Sequence, residues 1–146
     1  MLGLIQRVSS ASVSIADTKV GHINQGIMLL LGVEKNDGHS QADQLLKKLL
    51  NYRIFADKGG KMNRSLMDAN GDLLIVSQFT LAADTHKGLR PSFSSAAPAV
   101  EAEALYDYFL DQARKIHDGK IASGQFGADM QVSLCNDGPV TFLLRS

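Results

Sequence analysis

Three stretches of the sequence carry polar side chains where they could do chemistry. The first is Ser77-Gln78-Phe79-Thr80-Leu81, which directly follows the apolar run Leu73-Leu74-Ile75-Val76. Hydroxyls and an amide at the point where a buried strand gives out are placed to meet a polar substrate. A threonine hydroxyl there is a nucleophile only if a base takes its proton. The same residues also suit a strand end whose Ser and Thr satisfy local backbone groups. The second stretch is 82–97, which contains His86, Lys87, Gly88, Arg90 and Pro91 and has no helical or strand period. Loops that long are usually functional or disordered, so a binding loop and a loose surface loop both fit. The third is Asn136-Asp137-Gly138-Pro139-Val140-Thr141. Asp-Gly between two strand-like runs reads first as a hairpin turn. Pro139 complicates that reading, because it removes a ladder donor where the returning strand would begin.

Other chemistry-bearing residues form no pattern. His22, His39, His86 and His117 do not fall at metal-ligand spacing, and Cys135 is the sole cysteine. The histidines read as surface or loop residues, Cys135 as a small buried apolar one, and no metal is expected. Glu101 and Glu103 stand two apart in a helical stretch and face different ways, as solvated helix charges do. Neither a Rossmann fingerprint nor a P-loop occurs, so no cofactor is expected. Charge is unevenly spread. Residues 47–64 hold six basic side chains (Lys47, Lys48, Arg53, Lys58, Lys61, Arg64) and one acid, Asp57. Residues 101–118 hold five acids against Arg114 and Lys115. A basic stretch is either a solvated face or a phosphate-binding surface.

The elements that must position these segments follow from hydrophobic period. Leu4–Val8 and Ala11–Ile15 read as two strands, with Val13 and Ile15 alternating against Ser12 and Ser14. The unbroken run Ile27–Val33 reads as a strand buried on both faces. Ala42, Leu45, Leu46, Leu49 and Leu50 predict a helix over about 40–53, started by a capping box of Ser40 and Asp43. Asn70-Gly71 predicts a hairpin turn into the strand 73–76. A second helix is predicted with Pro98 in its first turn and Gly119 after its end, burying Val100, Ala104, Leu105, Tyr108 and Phe109 or Leu110. Two last strands, 128–135 and 140–144, would flank the Gly-Pro segment. The order strands, helix, strand, helix, strands predicts an α+β fold: one antiparallel or mixed, barrel-like sheet covered on one side by two main helices.

Composition bounds the rest. The chain has 146 residues, with 15 basic and 15 acidic side chains and a net charge of zero. That length predicts a single domain, 1–146. A neutral total excludes binding DNA or RNA through a bulk positive field, and no DNA partner is expected. The short apolar start is not a signal peptide, and no apolar run reaches the ~18 residues of a membrane span. A cytoplasmic location and no membrane partner are the expectations.

Taken together, the first and third segments resemble one family, the D-aminoacyl-tRNA deacylases. The family's Ser-Gln-Phe-Thr motif stands at Ser77 to Thr80, and its Asn-x-Gly-Pro-x-Thr motif at Asn136 to Thr141. The likeness continues through Ile5-Gln6-Arg7-Val8, Tyr52-Arg53-Ile54-Phe55, Gly60-Lys61-Met62-Asn63, Arg90-Pro91-Ser92-Phe93 and Ala128 to Leu134, in order along essentially the whole chain. The resemblance implies a hydrolase that frees a D-amino acid from the terminal adenosine of tRNA, and glycine as well. It implies a homodimer with its active sites at the subunit interface and the tRNA acceptor end as partner. Its Gly138-Pro139 bond would be cis and reach into the partner's pocket, where the carbonyls exclude an L side chain; this displaces the hairpin reading. Ser77, Gln78, Phe79 and Thr80 become the catalytic positions. The first three would shape the adenosine pocket, while backbone N–H groups near Phe79 and Thr80 hold the oxyanion and the RNA 2′-hydroxyl helps activate water. Asn136, Gly138, Pro139 and Met130 would bind and select substrate, with Met130 against the base and Arg7 anchoring the Gly-Pro segment. Two rivals remain open: an acyl-ester hydrolase with Thr80 as nucleophile, and a non-catalytic module that binds RNA ends.

Overall fold

The computed structural model describes residues 1–86 and 88–146; Lys87, expected beside Arg90 in the long loop, lies outside the described residues. The organising element is one long strand, β1 (Leu2–Ile15), where the sequence suggested two. Ser9 and Ser10 break its apolar pattern because they are exposed, but strand pairing continues on either side of them. Ala16 and Asp17 both have positive φ (46 and 63°), the conformation of a two-residue type I′ hairpin turn, and return the chain as β2 (Thr18–Ile23). β2 and β3 (Gly26–Gly32) then run end to end along the same edge of β1, with Ala11 opposite Ile23, Val8 opposite Gly26 and Leu2 opposite Gly32. On the other edge lies β8 (Gln131–Arg145), also antiparallel.

Beyond β3 the sheet turns parallel. β6 (Asp72–Ser77) pairs with β3, and β7 (Ile121–Ser123) with β6. The far edge curls back toward β2, where Lys120 Nζ sits 3.1 Å from His22 Nε2. The result is the expected α+β architecture with a mixed, nearly closed barrel-like sheet. Two main helices, α1 (His39–Leu50) and α3 (Ala99–Ile116), accompany it, together with a one-turn α2 (Leu66–Ala69) and a small hairpin, β4 (Phe55–Ala56) with β5 (Met62–Arg64).

The unbroken apolar runs have their predicted cause. On β6, Leu73 and Ile75 enter the core beneath α1 and α3, while Leu74 and Val76 enter a second core inside the curl with Val8, Val13 and Met28. β3 divides in the same way, so every side chain of the runs 27–31 and 73–76 must be apolar.

Several boundaries move. Gly38, not Ser40, caps α1: its N–H donates to Gln41 Oε1 at 3.0 Å, and the helix stops at Leu50 rather than 53. Pro98 is the cap residue of α3 rather than a first-turn residue, and the helix ends at Ile116, before Gly119. Its buried face is Ala102, Leu105, Tyr106, Phe109, Leu110 and Ala113, whereas Val100 and Ala104 are exposed. Alanine and tyrosine are tolerated on either side of a helix, so their spacing left the phase of the stripe ambiguous. Asn70 makes no hairpin. It is the left-handed cap of α2 (φ 48°), a conformation that Asn favours at helix ends as well as in turns. Runs 128–135 and 140–144 are not separate strands flanking a hairpin but contribute to one, β8, and Cys135 on it is exposed rather than buried. His117 is not a surface residue: it is buried, with its ring Nε2 2.8 Å from the Gly71 carbonyl.

Tyr106 gives the core a measurable signature. Its hydroxyl donates to the Ile75 carbonyl at 3.0 Å, tying α3 to β6. Burial, with Asp107 adding to it, pushes its pKa up to about 12 from the ordinary 10.0. The folded state thus keeps a proton that the unfolded chain loses first. The stabilisation is complete below pH 10 and declines as pH rises toward 12. An ultraviolet titration of the folded protein should show this tyrosine ionising late; all three tyrosines titrating together near 10 would contradict the burial.

Candidate active site

At the carboxyl end of β6 the core opens into a cavity of about 470 Å³. Its floor is the end of the strand, Val76 and Ser77, continuing into Gln78 and Phe79. Ala97 and Ala102 form one wall, at the start of α3, while Phe126, Ala128 and Met130 form the other, on the approach to β8. The lining is largely apolar, small beside α3 and aromatic opposite, which suits a flat ring more than a charged group. Phe79 is 59% exposed, unusually for its type, and its ring lies 5.0 Å from that of Phe93, also exposed.

Phe79 through Ala82 form a single 3₁₀ turn rather than the continued strand or plain strand end. Gln78 N–H still belongs to the sheet, donating to Leu31 O at 2.8 Å. The N–H groups of Phe79 and Thr80 come at the start of the turn, ahead of its first internal donor, Leu81 N–H, which donates to Gln78 O at 3.2 Å, and are thus not used by it. Thr80 Oγ1 accepts from Gln78 Nε2 at 2.6 Å, and no described histidine or carboxylate hydrogen-bonds to it.

The two ends of the long loop are held to each other and to the sheet. Asp84 and Ser92 pair across the loop (2.7 and 3.0 Å), Ser95 Oγ donates to the Ala82 carbonyl, and Lys35 N–H donates to Ser95 O at 2.9 Å. Ala97 N–H donates to Val33 O at 3.1 Å, which sets the start of α3 against the sheet and places Ala97 in the cavity wall. His86 and Arg90 are exposed and do not line the cavity.

The Asn-x-Gly-Pro-x-Thr segment forms a second, separate constellation. Along β8, Thr141 faces Gln6 and Asn136 faces Val8, so the residues Asp137 to Val140 bulge out opposite the single residue Arg7. The apparent hairpin is therefore a bulge within a continuous strand. Its neck is closed by Asn136, whose Oδ1 accepts from Val140 N–H and whose Nδ2 donates to Thr141 Oγ1, both at 2.8 Å. Gly138 has φ 133°, and a Cβ there would lie 2.7 Å from Val140 Cγ2 and 3.1 Å from Arg7 Nη2, so only glycine fits. The Gly138-Pro139 bond is cis, and both residues are exposed. Arg7, largely buried, anchors the bulge: Nε donates to Asp137 O at 3.0 Å and lies 3.2 Å from its carboxylate, while Nη1 donates to Ile54 O at 2.6 Å.

Of the residues singled out in the sequence, Ser77, Gln78, Phe79 and Met130 thus meet around one cavity. Thr80 lies next to it without lining it. Arg7, Asn136, Gly138 and Pro139 gather elsewhere, and none of them lines that cavity. Phe126, Gly127 and the alanines at 96, 97, 99 and 102 are wall residues that sequence reasoning did not select. For the alanines, the run of small residues around the start of α3 was the only sequence signal. Among the described residues no three His, Cys, Asp or Glu side chains are placed to hold a metal ion, and no helix is long and apolar enough to cross a membrane.

The nearly closed, barrel-like α+β sheet is shared with proteins of solved structure. A solved structure described as the c-Myc DNA unwinding element binding protein superposes with a TM-score of 0.96, at 42% identity and over 100% of this chain and 99% of that one. A probable eukaryotic D-amino acid tRNA deacylase shares the fold at a TM-score of 0.78 and 20% identity, over 98% and 97% of the two chains. By sequence, the D-aminoacyl-tRNA deacylase of Stutzerimonas stutzeri (strain A1501) is 64% identical over 146 residues, the full length of both proteins. That of Cellvibrio japonicus (strain Ueda107) is 61% identical over 145 residues, 99% of each. The family model for D-Tyr-tRNA(Tyr) deacylase matches residues 4–145, and the chain belongs to that family of deacylases.

Proposed function

We propose that this protein hydrolyses the ester of D-aminoacyl-tRNA, and of glycyl-tRNA, releasing the amino acid and free tRNA. The observation that carries the reading is 64% identity over the full length to a protein named for this activity, with no segment of either chain left over. In the reaction the terminal adenosine occupies the cavity beside Phe79 and Met130. Water attacks the ester carbonyl carbon, the bond to the ribose oxygen breaks, and that oxygen takes up a proton. The neighbouring 2′-hydroxyl of the RNA helps to activate the water. N–H groups of Phe79 and Thr80 hold the oxyanion, a contribution of about 3–4 kcal/mol per well-placed donor.

Selectivity comes from a second copy of the chain. Gly138 and Pro139 are exposed and do not line their own subunit's cavity, and in this reading the bulge serves the cavity of a homodimer partner. Its backbone carbonyls accept from the substrate's amino group and fill the space an L side chain needs, so discrimination works by exclusion. Glycine has no side chain to exclude and is accepted.

Thr80 is not the nucleophile in this reading, because no base among the described residues is hydrogen-bonded to take its proton. Matched D- and L-aminoacyl-tRNA incubated with the purified protein should lose the D-ester much faster, by about 100-fold or more, which corresponds to ~2.7 kcal/mol of exclusion. Equal rates, or none on either, would refute the reading. Thr80→Ala should retain activity within about tenfold; complete loss with folding intact would favour covalent catalysis through Thr80. A duplex DNA binding assay belongs beside it, given the name of the 42% identical neighbour. The neutral net charge predicts weak binding there.

A further inference from the structure

Resting on the tRNA reading, we propose that the β4–β5 hairpin is the element that grips the RNA backbone, through Lys58 and Lys61. The basic run sorts into spent cations and free ones, and of the free ones (Lys47, Arg53, Lys58 and Lys61, all exposed) only Lys58 and Lys61 stand on the hairpin. Lys48 Nζ donates to the Arg145 carbonyl at 2.9 Å, and the Arg64 guanidinium donates to the Asp68 carbonyl. Lys58 and Lys61 are exposed, and no carboxylate of the described residues comes within 4.0 Å of either ammonium.

The acid just before them, Asp57, builds the loop. Asp57 Oδ1 accepts from the N–H groups of Gly59 (2.8 Å) and Lys61 (3.0 Å), and Oδ2 accepts from Asn63 Nδ2 (2.7 Å). Asn63 is the main reason that this carboxyl is held below its ordinary pKa, with the backbone of Lys61 next. Two further backbone bonds, Asp57 N–H to Lys61 O (2.8 Å) and Gly60 N–H to Asp57 O (3.0 Å), close the turn. Two lysines are therefore presented from a fixed loop whose tip, Gly59 and Gly60, carries no side chain to hold a polyanion away. A prearranged pair of cations loses less freedom on binding than two mobile ones.

Position links the hairpin to the reaction. Ile54, the residue before β4, offers the carbonyl that Arg7 Nη1 holds at 2.6 Å, and the same guanidinium holds Asp137 of the bulge at 3.0 Å. Hairpin and bulge are thus fixed to one another through a single side chain. A substrate whose reacting end meets the bulge presents its phosphates to the hairpin beside it. Such local contact reconciles an RNA substrate with a chain of zero net charge.

The test is the double variant Lys58→Ala/Lys61→Ala in the full-length protein. Lys19→Ala/Lys120→Ala serves as the control for losing two positive charges elsewhere. Uncharged tRNA binding is measured by fluorescence anisotropy across a salt series, alongside deacylation of D-aminoacyl-tRNA and D-aminoacyl-adenosine. The hairpin variant should bind tRNA about tenfold more weakly at low salt, with the slope of log Kd against log salt reduced by about one for each phosphate no longer gripped. Its KM for D-aminoacyl-tRNA should rise in parallel at unchanged kcat, and its kinetics on the adenosine ester should match the wild type. Unchanged binding and slope, an equal loss in the control, or no tRNA binding by the wild type would overturn the assignment. If the wild type cleaves neither ester but the hairpin variant still loses tRNA binding, the enzymatic reading fails and the RNA-binding hairpin stands.

Discussion

Replacing Arg7 by alanine is expected to lower kcat/KM for D-aminoacyl-tRNA by about 100-fold or more, without unfolding the protein. The guanidinium bonds to two backbone carbonyls, Asp137 O and Ile54 O, and its side chain is only 14% exposed. Each hydrogen bond from a charged group is worth about 1.5–3 kcal/mol, and the carbonyls it leaves would be poorly satisfied. The ion pair to Asp137 adds little, because that carboxylate is half exposed. With the anchor gone, the segment from Asp137 to Val140 keeps only its Asn136 neck, and the carbonyls assigned to stereochemical exclusion lose their position. A displacement of an ångström at such a site costs on the order of 100-fold in rate. Arg7→Lys keeps the charge and the stem but cannot fork to both carbonyls, so it should fall between wild type and Arg7→Ala. Thermal melting of both variants separates a local from a global loss. Full activity in Arg7→Ala would remove the bulge from the reaction.

Gly26→Ala should be the most damaging single change to stability. Gly26 begins β3, antiparallel to Val8 on one side and parallel to Asp72 on the other. A Cβ at this position would stand 1.9 Å from the Asp72 carbonyl oxygen and 2.7 Å from its carbonyl carbon and nitrogen, all backbone atoms. Nothing flexible can give way, so β6 would have to part from β3. β6 ends in Ser77 and carries the floor of the cavity, so the site would be lost together with the sheet. A loss of more than about 4 kcal/mol is expected, a large part of the ~5–15 kcal/mol that holds a domain together. Urea unfolding measures it directly; a midpoint shift equivalent to less than about 1 kcal/mol would show that the two strands do not pack as described.

How far the site could be read in advance depended on whether its parts are local. Ser77, Gln78 and Phe79 were legible because a continuous apolar run ends just before them, and a strand that ends in polar residues ends at an opening. Met130 entered only through family resemblance, since nothing in its neighbourhood marks it. Ala97 and Ala102 were not found, because an alanine facing a cavity reads like an alanine facing another helix. The Asp-Gly pair at 137–138 misled for a related reason. It encodes a reversal of the chain, but whether a reversal becomes a hairpin or a bulge depends on the strand alongside. Here β1 pairs with the chain on both sides of the excursion, at Gln6 and at Val8. Asn70 shows the same ambiguity, since its left-handed backbone caps a helix here and would serve a turn elsewhere.

By itself the sequence determined the elements whose signal lies in the period of neighbouring residues. These were the two-faced strands β3 and β6, the helices around Leu45 and Leu105, and the mixed α+β class that their order requires. It also determined the family, through motifs that are contiguous. Only the tertiary structure decided what depends on residues far apart in the chain. That Arg7 faces the bulge, that Ile54 and Asp137 share its guanidinium, and that Phe79 and Met130 bound one cavity are matters of strand register and long-range closure. Periodicity constrains which face of an element is buried, but carries no information about which distant element meets it. The two constellations, separate within one subunit, are where that limit matters most.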